Sequence, residues 1–344
     1  MKNPVKRGVV FIFLFSGLFL FPVVGHGEDL SGWKLPSVPV PADNPQSGAK
    51  AFLGKQLIFD IRLSKNNSMS CENCHQFHRG GGGPTPRAFG HGGELGRWAP
   101  SWINAGYYTS LFWDGRASSL EEQTGALQGH IGPISNPGEM AADMDEVVRK
   151  LNGIPEYRRQ FKKVFGAGAT RENIAKAIAS YQRTLVAYGS PFQRYLRGDK
   201  TALSPAARRG FELFRGKAAC ATCHTPPLLT DNGFHDIGTP QVGPLKEDLG
   251  RFDVTKDPSD RKKFKTPSLY NSATFAYLTH DGAFSSIKDI IEHYDRGGNH
   301  NDPDQDPLIM PLHLGAAEKS DLAEFIRSLT DISLNETEAP KLPR

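Results

Sequence analysis

The residues best placed to do chemistry are four cysteines, which occur as "CENCH" (Cys71 to His75) and "CATCH" (Cys220 to His224). In each stretch two thiols are separated by two residues and a histidine follows directly, which is the pattern of c-type haem attachment. The spacing suits the reaction. Two thiols so placed can form thioethers with the two vinyl groups of one porphyrin, and the adjacent imidazole then reaches the iron from below. His75 and His224 are therefore the expected proximal ligands. A redox dithiol or half of a zinc site would leave both histidines unexplained. Two motifs that consume every cysteine of the chain point to two covalently bound haem c groups.

Helices must carry these motifs. "AADMDEVVRKL" from Ala141, "PEYRRQFKKVF" from Pro155 and "TRENIAKAIASYQRTLVAY" from Thr170 all have apolar residues at helical spacing. Ser204 and Pro205 supply an N-cap and an N1 proline to "SPAARRGFELFRG", which leads into the second motif, and "EKSDLAEFIRSLT" gives a last helix. In the "IIEHYDRGG" region, Ile287, Ile290, Ile291 and Tyr294 share one helical face, so the tyrosine is expected indoors. No convincing strand run appears. The expected fold is mostly α, with two cytochrome c-like domains carrying one haem each. They cover 28–195 and 196–335, joined near 191–203 and followed by a tail, 336–344.

A chain of 344 residues with 38% hydrophobic content can bury two such cores, and its 36 glycines and 25 prolines suggest long connections packed around something non-protein. The start, 1–27, has Lys2, Lys6 and Arg7 ahead of an apolar run from Val9 to Val24. It reads as an export signal, with an uncleaved membrane anchor as the alternative, so a periplasmic location is expected. Removing those three basic residues takes the formal net charge from +4 to +1, which leaves no nucleic-acid footprint.

Several long blocks then carry a resemblance that runs from about Gly48 to Thr330. They are "CENCH", "FWDGRASSLEEQ" from Phe112, "NPGEM" from Asn136, "SPFQRYLRGD" from Ser190, "CATCH", "FHDIG" from Phe234, "FKTPSLYN" from Phe264 and "THDGAFSSIKDIIEHYDRGG" from Thr279. In this order they resemble the bacterial dihaem cytochrome c peroxidase family, including its MauG branch. The resemblance implies that peroxide reacts at the haem on His75, that Glu139 is the distal acid and base, and that Gln123 is a distal amide. It implies further that Trp113 lies between the haems and passes electrons. A carboxyl sheltered beside apolar haem would have the raised pKa that suits proton transfer between peroxide oxygens.

Some positions depart from the family pattern. His91, in "FGHGGELGRWAPS", is the candidate for the histidine that closes the first iron in the peroxidase branch, although the segment also aligns with members in which that position is not a ligand. His78 and His130 are expected to be solvated loop residues. The resemblance also brings an inter-haem calcium site, but Trp98 replaces its asparagine and Ala276 its proline, while Thr274 matches, so the pattern argues against calcium. From His280, near the second haem, the interval that leads to an axial methionine in the peroxidase branch ends here on Tyr294, as in the MauG branch. A phenolate favours ferric and ferryl iron where a thioether favours ferrous. Met310 in "PLIMPLHLG" is the rival ligand.

The expected function is a periplasmic dihaem peroxidase that oxidises a small redox protein, a cytochrome c or a cupredoxin, through the C-terminal haem. The alternatives are a MauG-like oxidase acting on a partner enzyme precursor and a non-enzymatic dihaem electron-transfer cytochrome. A homodimer is unsurprising by resemblance.

Overall fold

The computed structural model describes residues 29–344; the expected export signal lies outside the described residues. The N-terminal half carries helices α1 (Gly48–Ile58), α2 (Cys71–Cys74), α3 (Leu120–Gln123), α4 (Met144–Gly153), α5 (Pro155–Phe165) and α6 (Arg171–Gln182). There follow α7 (Pro191–Leu196), α8 (Pro205–Arg215), α9 (Phe252–Thr255), α10 (Ile287–Asp295), α11 (Ala316–Arg327) and α12 (Ile332–Asn335). Strand structure among the described residues is confined to two antiparallel pairs of two-residue strands: β1 (Phe89–Gly90) with β2 (Gly93–Glu94), and β3 (Phe234–His235) with β4 (Phe264–Lys265).

Local chemistry sets the helix starts. The side chains of Ser47, Thr170, Ser204 and Ser286 each accept a backbone N–H of the first turn of α1, α6, α8 and α10, and Pro205 occupies the first position of α8. Helix α6 stops at Gln182 although the apolar pattern runs on to Tyr188. The reason is tertiary: Asn104 takes the Leu185 carbonyl at 2.8 Å with its backbone N–H and the Ala187 N–H at 3.1 Å with its side-chain oxygen. Those backbone groups are thereby withdrawn from the helix.

Two helix crossings build the core. Helix α1 packs on α6 and α8 on α11, and each pair meets at a glycine. A Cβ on Gly54 would lie 1.9 Å from the Ala177 carbonyl oxygen, and one on Gly210 would lie 1.9 Å from that of Asp321. Phe192, Phe211, Phe214 and Phe325 interlock around the second crossing at centroid separations of 5.0–5.3 Å.

The segment after each crossing's first helix repeats at one constant offset. Asn104 and Asn271 are both left-handed, with φ of 61° and 62°, and so are Phe112 and Thr279, with 67° and 72°. The bridges Leu111 to Ala117 and Leu278 to Phe284 match, and Trp113-Asp114-Gly115 corresponds to His280-Asp281-Gly282. Ser119 and Ser286 then cap α3 and α10. Helix α3, which carries Gln123, is held by a buried fork. Both guanidinium nitrogens of Arg183 donate to Glu121 at 2.8 and 2.9 Å, and Asn44 donates to the same carboxylate at 2.7 Å.

Candidate haem-binding active site

A cavity of about 780 Å³ runs through the molecule, and both Cys-x-x-Cys-His motifs line it. All four thiols are free, and burial pushes Cys71 up to about 12, Cys74 to about 11 and Cys220 to about 12. Those three stand at the wall as neutral thiols. The two imidazoles are prepared alike. His75 donates Nδ1–H to the Pro100 carbonyl at 2.9 Å and His224 to the Leu229 carbonyl at 2.9 Å. A carbonyl only accepts, so the tautomer is fixed and Nε2 keeps its lone pair for a metal. Burial lowers the pKa of both rings, which holds them neutral.

The residues present fit haem. Helix α10 turns Ile287, Ile290, Ile291 and Tyr294 into the cavity, while its buried member, His293, faces away and bonds the Ile237 carbonyl at 2.7 Å. The tyrosine expected indoors is half-buried. The apolar face of α10 borders a space suited to a porphyrin, while Ile287 and Ile291 also pack on the core.

On the His75 side, Gln123, Asn136, Glu139 and Arg116 converge on the cavity wall. Burial raises the pKa of Glu139, and the Arg116 charge and the Asn136 amide, which donates to its Oε1 at 2.9 Å, offset this only in part. Gln123 makes no side-chain hydrogen bond to another described residue. The arrangement offers a carboxyl that can hold or release a proton beside an amide free to orient a small ligand.

Between the motifs, Trp113 is buried and donates Nε1–H to the Trp98 carbonyl at 3.0 Å. Its ring lies 6.4 Å from that of Trp98 and 6.4 Å from that of His280. Trp98 in turn donates Nε1–H to the Gly83 carbonyl at 3.1 Å and packs on Phe275 at 5.2 Å. An indole therefore stands beside Thr274 and Ala276, with its backbone oxygen taken by Trp113 and the Thr274 hydroxyl donating to Asn271 at 2.8 Å. These residues do not fit a calcium ion, which needs six to eight oxygen ligands.

On the His224 side both rival ligands line the cavity. Met310 is 62% exposed. Tyr294 has no hydrogen-bond partner among the described residues, and burial pushes its phenol up, with Cys220 and Cys223 adding to the shift. The sulfur contribution lapses once those thiols become thioethers. Outside the cavity, His78 and His130 are exposed. His91 is not among the lining residues, and its Nε2 lies 3.4 Å from the Ser68 hydroxyl.

Three features escape the motif-based reading. Arg97 makes a two-bond fork to Asp248 at 2.7 Å each and also donates to Asp114 at 2.6 Å, tying the two halves together. Lys265 is buried, its ammonium 3.6 Å from the Tyr108 ring centroid, and burial lowers its pKa to about 7. Trp102 stacks on His75. The "RW" and "FK" neighbourhoods contain the signal for the first two, but only the fold pairs residues so distant in sequence.

The molecule also resembles known proteins. A family model for di-haem cytochrome c peroxidases matches residues 48–201. The chain is 40% identical over 336 residues to Cytochrome-c peroxidase IdrP1 of Pseudomonas sp. (strain SCT), covering 86% of this chain and 84% of that protein. It is 39% identical over 298 residues to Methylamine utilization protein MauG of Methylorubrum extorquens, covering 85% and 81%. A crystal structure of a MauG-like protein associated with microbial copper homeostasis superposes with a TM-score of 0.81 at 31% identity, covering 90% of this chain and 97% of that one. With relatives of this identity spanning both halves, and both haem motifs facing the same cavity, the chain belongs to the dihaem cytochrome c peroxidase family and is an oxidoreductase that acts on peroxide.

Proposed function

We propose that this chain is an exported dihaem c-type peroxidase in which peroxide is bound at the His75 side and electrons enter through the His224 side. Residues 28–195 and 196–335 would form the two haem domains, with haem held by Cys71, Cys74 and His75 and by Cys220, Cys223 and His224. The observation that carries this reading is the half-buried Glu139, whose pKa is raised, on the same cavity wall as an uncommitted Gln123 and the first motif. Haem iron, when bound, supplies the redox chemistry of O–O cleavage. Glu139 accepts the proton from the inner peroxide oxygen and returns it to the outer one, and Gln123 orients the peroxide by hydrogen bonding. Trp113 provides an aromatic step between the two sides. His91, turned toward Ser68, would leave the first iron open in this conformation.

The basic start and apolar run of 1–27 support export to the periplasm, and no helix among the described residues is long and apolar enough to cross a membrane. The electron donor would be a cytochrome c or a cupredoxin. A second reading is favoured by Tyr294, whose unpartnered hydroxyl shares the cavity with Cys220 and Cys223. A phenolate ligand there would stabilise oxidised iron and suit a MauG-like oxidation of a partner enzyme precursor. A homodimer is compatible with either reading.

Electron paramagnetic resonance of the ferric protein before and after peroxide tests the proposal. The expected result is one high-spin signal that peroxide consumes, together with one low-spin signal. Two low-spin haems indifferent to peroxide would overturn both readings. Turnover with a reduced cytochrome or cupredoxin then separates the first reading from the second, which expects little.

A further inference from the structure

Trp102 has no part in the function proposed above, yet it stands against the proximal ligand of the N-terminal site. Its indole stacks on the His75 imidazole with centroids 5.0 Å apart and planes 22° from parallel. It is 4% exposed, and its Nε1 is buried without a hydrogen-bond partner. Trp98 and Trp113 both bond theirs to carbonyls. Leaving a buried donor unpaired is costly, and an aliphatic side chain would fill the wall without that penalty. Leu269 does so at the corresponding point of the second half. The surroundings are shaped to the indole. Gly81 has φ of +75°, and a Cβ there would come within 2.4 Å of the Trp102 ring. Beyond Trp102 the next ring is Phe77, at 4.9 Å, which is not readily oxidised and which packs in turn on Phe59 at 5.7 Å and on Tyr181 at 6.4 Å.

We propose that Trp102 is a redox-active residue, an internal reservoir that lends one electron to the N-terminal haem site during reaction with peroxide and later recovers it. The inference rests on the reading that peroxide reacts on the His75 side. Hydrogen peroxide takes two electrons and two protons to become two waters, so until a donor delivers two electrons the protein is two short. Trp102 supplies one of them and becomes an indole radical cation; no bond in the ring forms or breaks. With no acceptor for Nε1–H among the described residues, the proton stays on the ring, and one electron from the donor, relayed through the haem site, restores the residue. The stack on His75 gives the short path, and Phe77 separates the indole from the next oxidisable ring, Tyr181. This protects the site when the donor is scarce.

The test is rapid-freeze electron paramagnetic resonance of the ferric holoprotein mixed with hydrogen peroxide and no donor, with and without ring-deuterated tryptophan. The expected result is loss of the high-spin ferric signal and an organic radical whose line narrows on deuteration. Trp102→Phe, checked by mass to hold two haems, loses that radical and bleaches sooner under excess peroxide, whereas Trp113→Phe retains it. Trp102→Tyr replaces it with a tyrosyl line shape, which keeps the test valid if the phenylalanine variant folds poorly. Should the ferric signal survive peroxide, the reading of the His75 side falls and this inference with it. Should it be consumed with no tryptophan radical, or with a radical that persists in Trp102→Phe, the reservoir alone is overturned.

Discussion

At Tyr294 and Glu139 burial raises the pKa of an ordinary side chain that lines the cavity. A phenol that burial keeps neutral, with no hydrogen-bond partner among the described residues, gains from a metal that displaces its proton. Tyr294→Phe is therefore expected to change the spin state of the C-terminal haem, seen by resonance and optical spectroscopy, while Met310→Leu leaves it unaltered. The reverse outcome would make Met310 the ligand. On the proposed reading Glu139 works through its proton. If its carboxylate accepts the proton of peroxide, the rate of the first step should rise with pH through a pKa above the ordinary glutamate range, the direction set by burial. Glu139→Gln should slow that step by about 10²–10⁴-fold and remove this limb of the pH profile. Stopped-flow mixing with peroxide across pH measures both, and an unchanged profile would exclude Glu139 as the base.

At the scale of elements, the two helix crossings hold each haem motif against its core. Gly54 and Gly210 let α1 meet α6 and α8 meet α11 at backbone distance, where an added methyl has no room. Gly210→Ala should destabilise the holoprotein by about 1–3 kcal/mol through overpacking, measured by denaturant unfolding. Ala206→Gly, at a half-exposed position of the same helix, should act mainly through helix propensity, about 1 kcal/mol or less. Equal losses would mean that the crossing is not tight. Helix α10 has a different task, because its apolar face of Ile287, Ile290, Ile291 and Tyr294 lines the cavity. Its amphipathic pattern was legible as a helix, but the pattern does not state what the face is buried against.

Across the whole molecule, Arg97 couples the halves through Asp114 and Asp248. Burial alone would raise the pKa of Asp248, but the hydrogen bonds and charge of Arg97 outweigh it and hold the group below its ordinary value. The stability from this pairing is present above the unfolded aspartate pKa, about 3.9, and is lost as pH falls through the depressed folded value. Arg97→Met leaves Asp248 buried and unpaired, at a cost of about 3–5 kcal/mol. That deficit should be larger at pH 7 than at pH 4, where the carboxyl can take up a proton. Unfolding titrations of the holoprotein at the two pH values measure it, and a pH-independent difference would show that packing, not charge, is lost.

Which atoms are available for chemistry is written locally in the chain. Cys-x-x-Cys-His is a local pattern, complete within five residues, and so are the serine and threonine caps that start α1, α6, α8 and α10. The blocks around Trp113, Glu139 and Gln123 pointed to the right family for the same reason. Tertiary structure decided what depends on distant partners. It ended α6 at Gln182, because Asn104 claims the backbone groups that would have continued the helix. It packed the Trp98 indole on Phe275, turned His91 toward Ser68, and brought Arg97 to Asp248. It also laid Trp102 on His75. Local spacing fixes which atoms a motif can present, whereas contacts across the chain depend on how helices cross and what their shared cavity must hold.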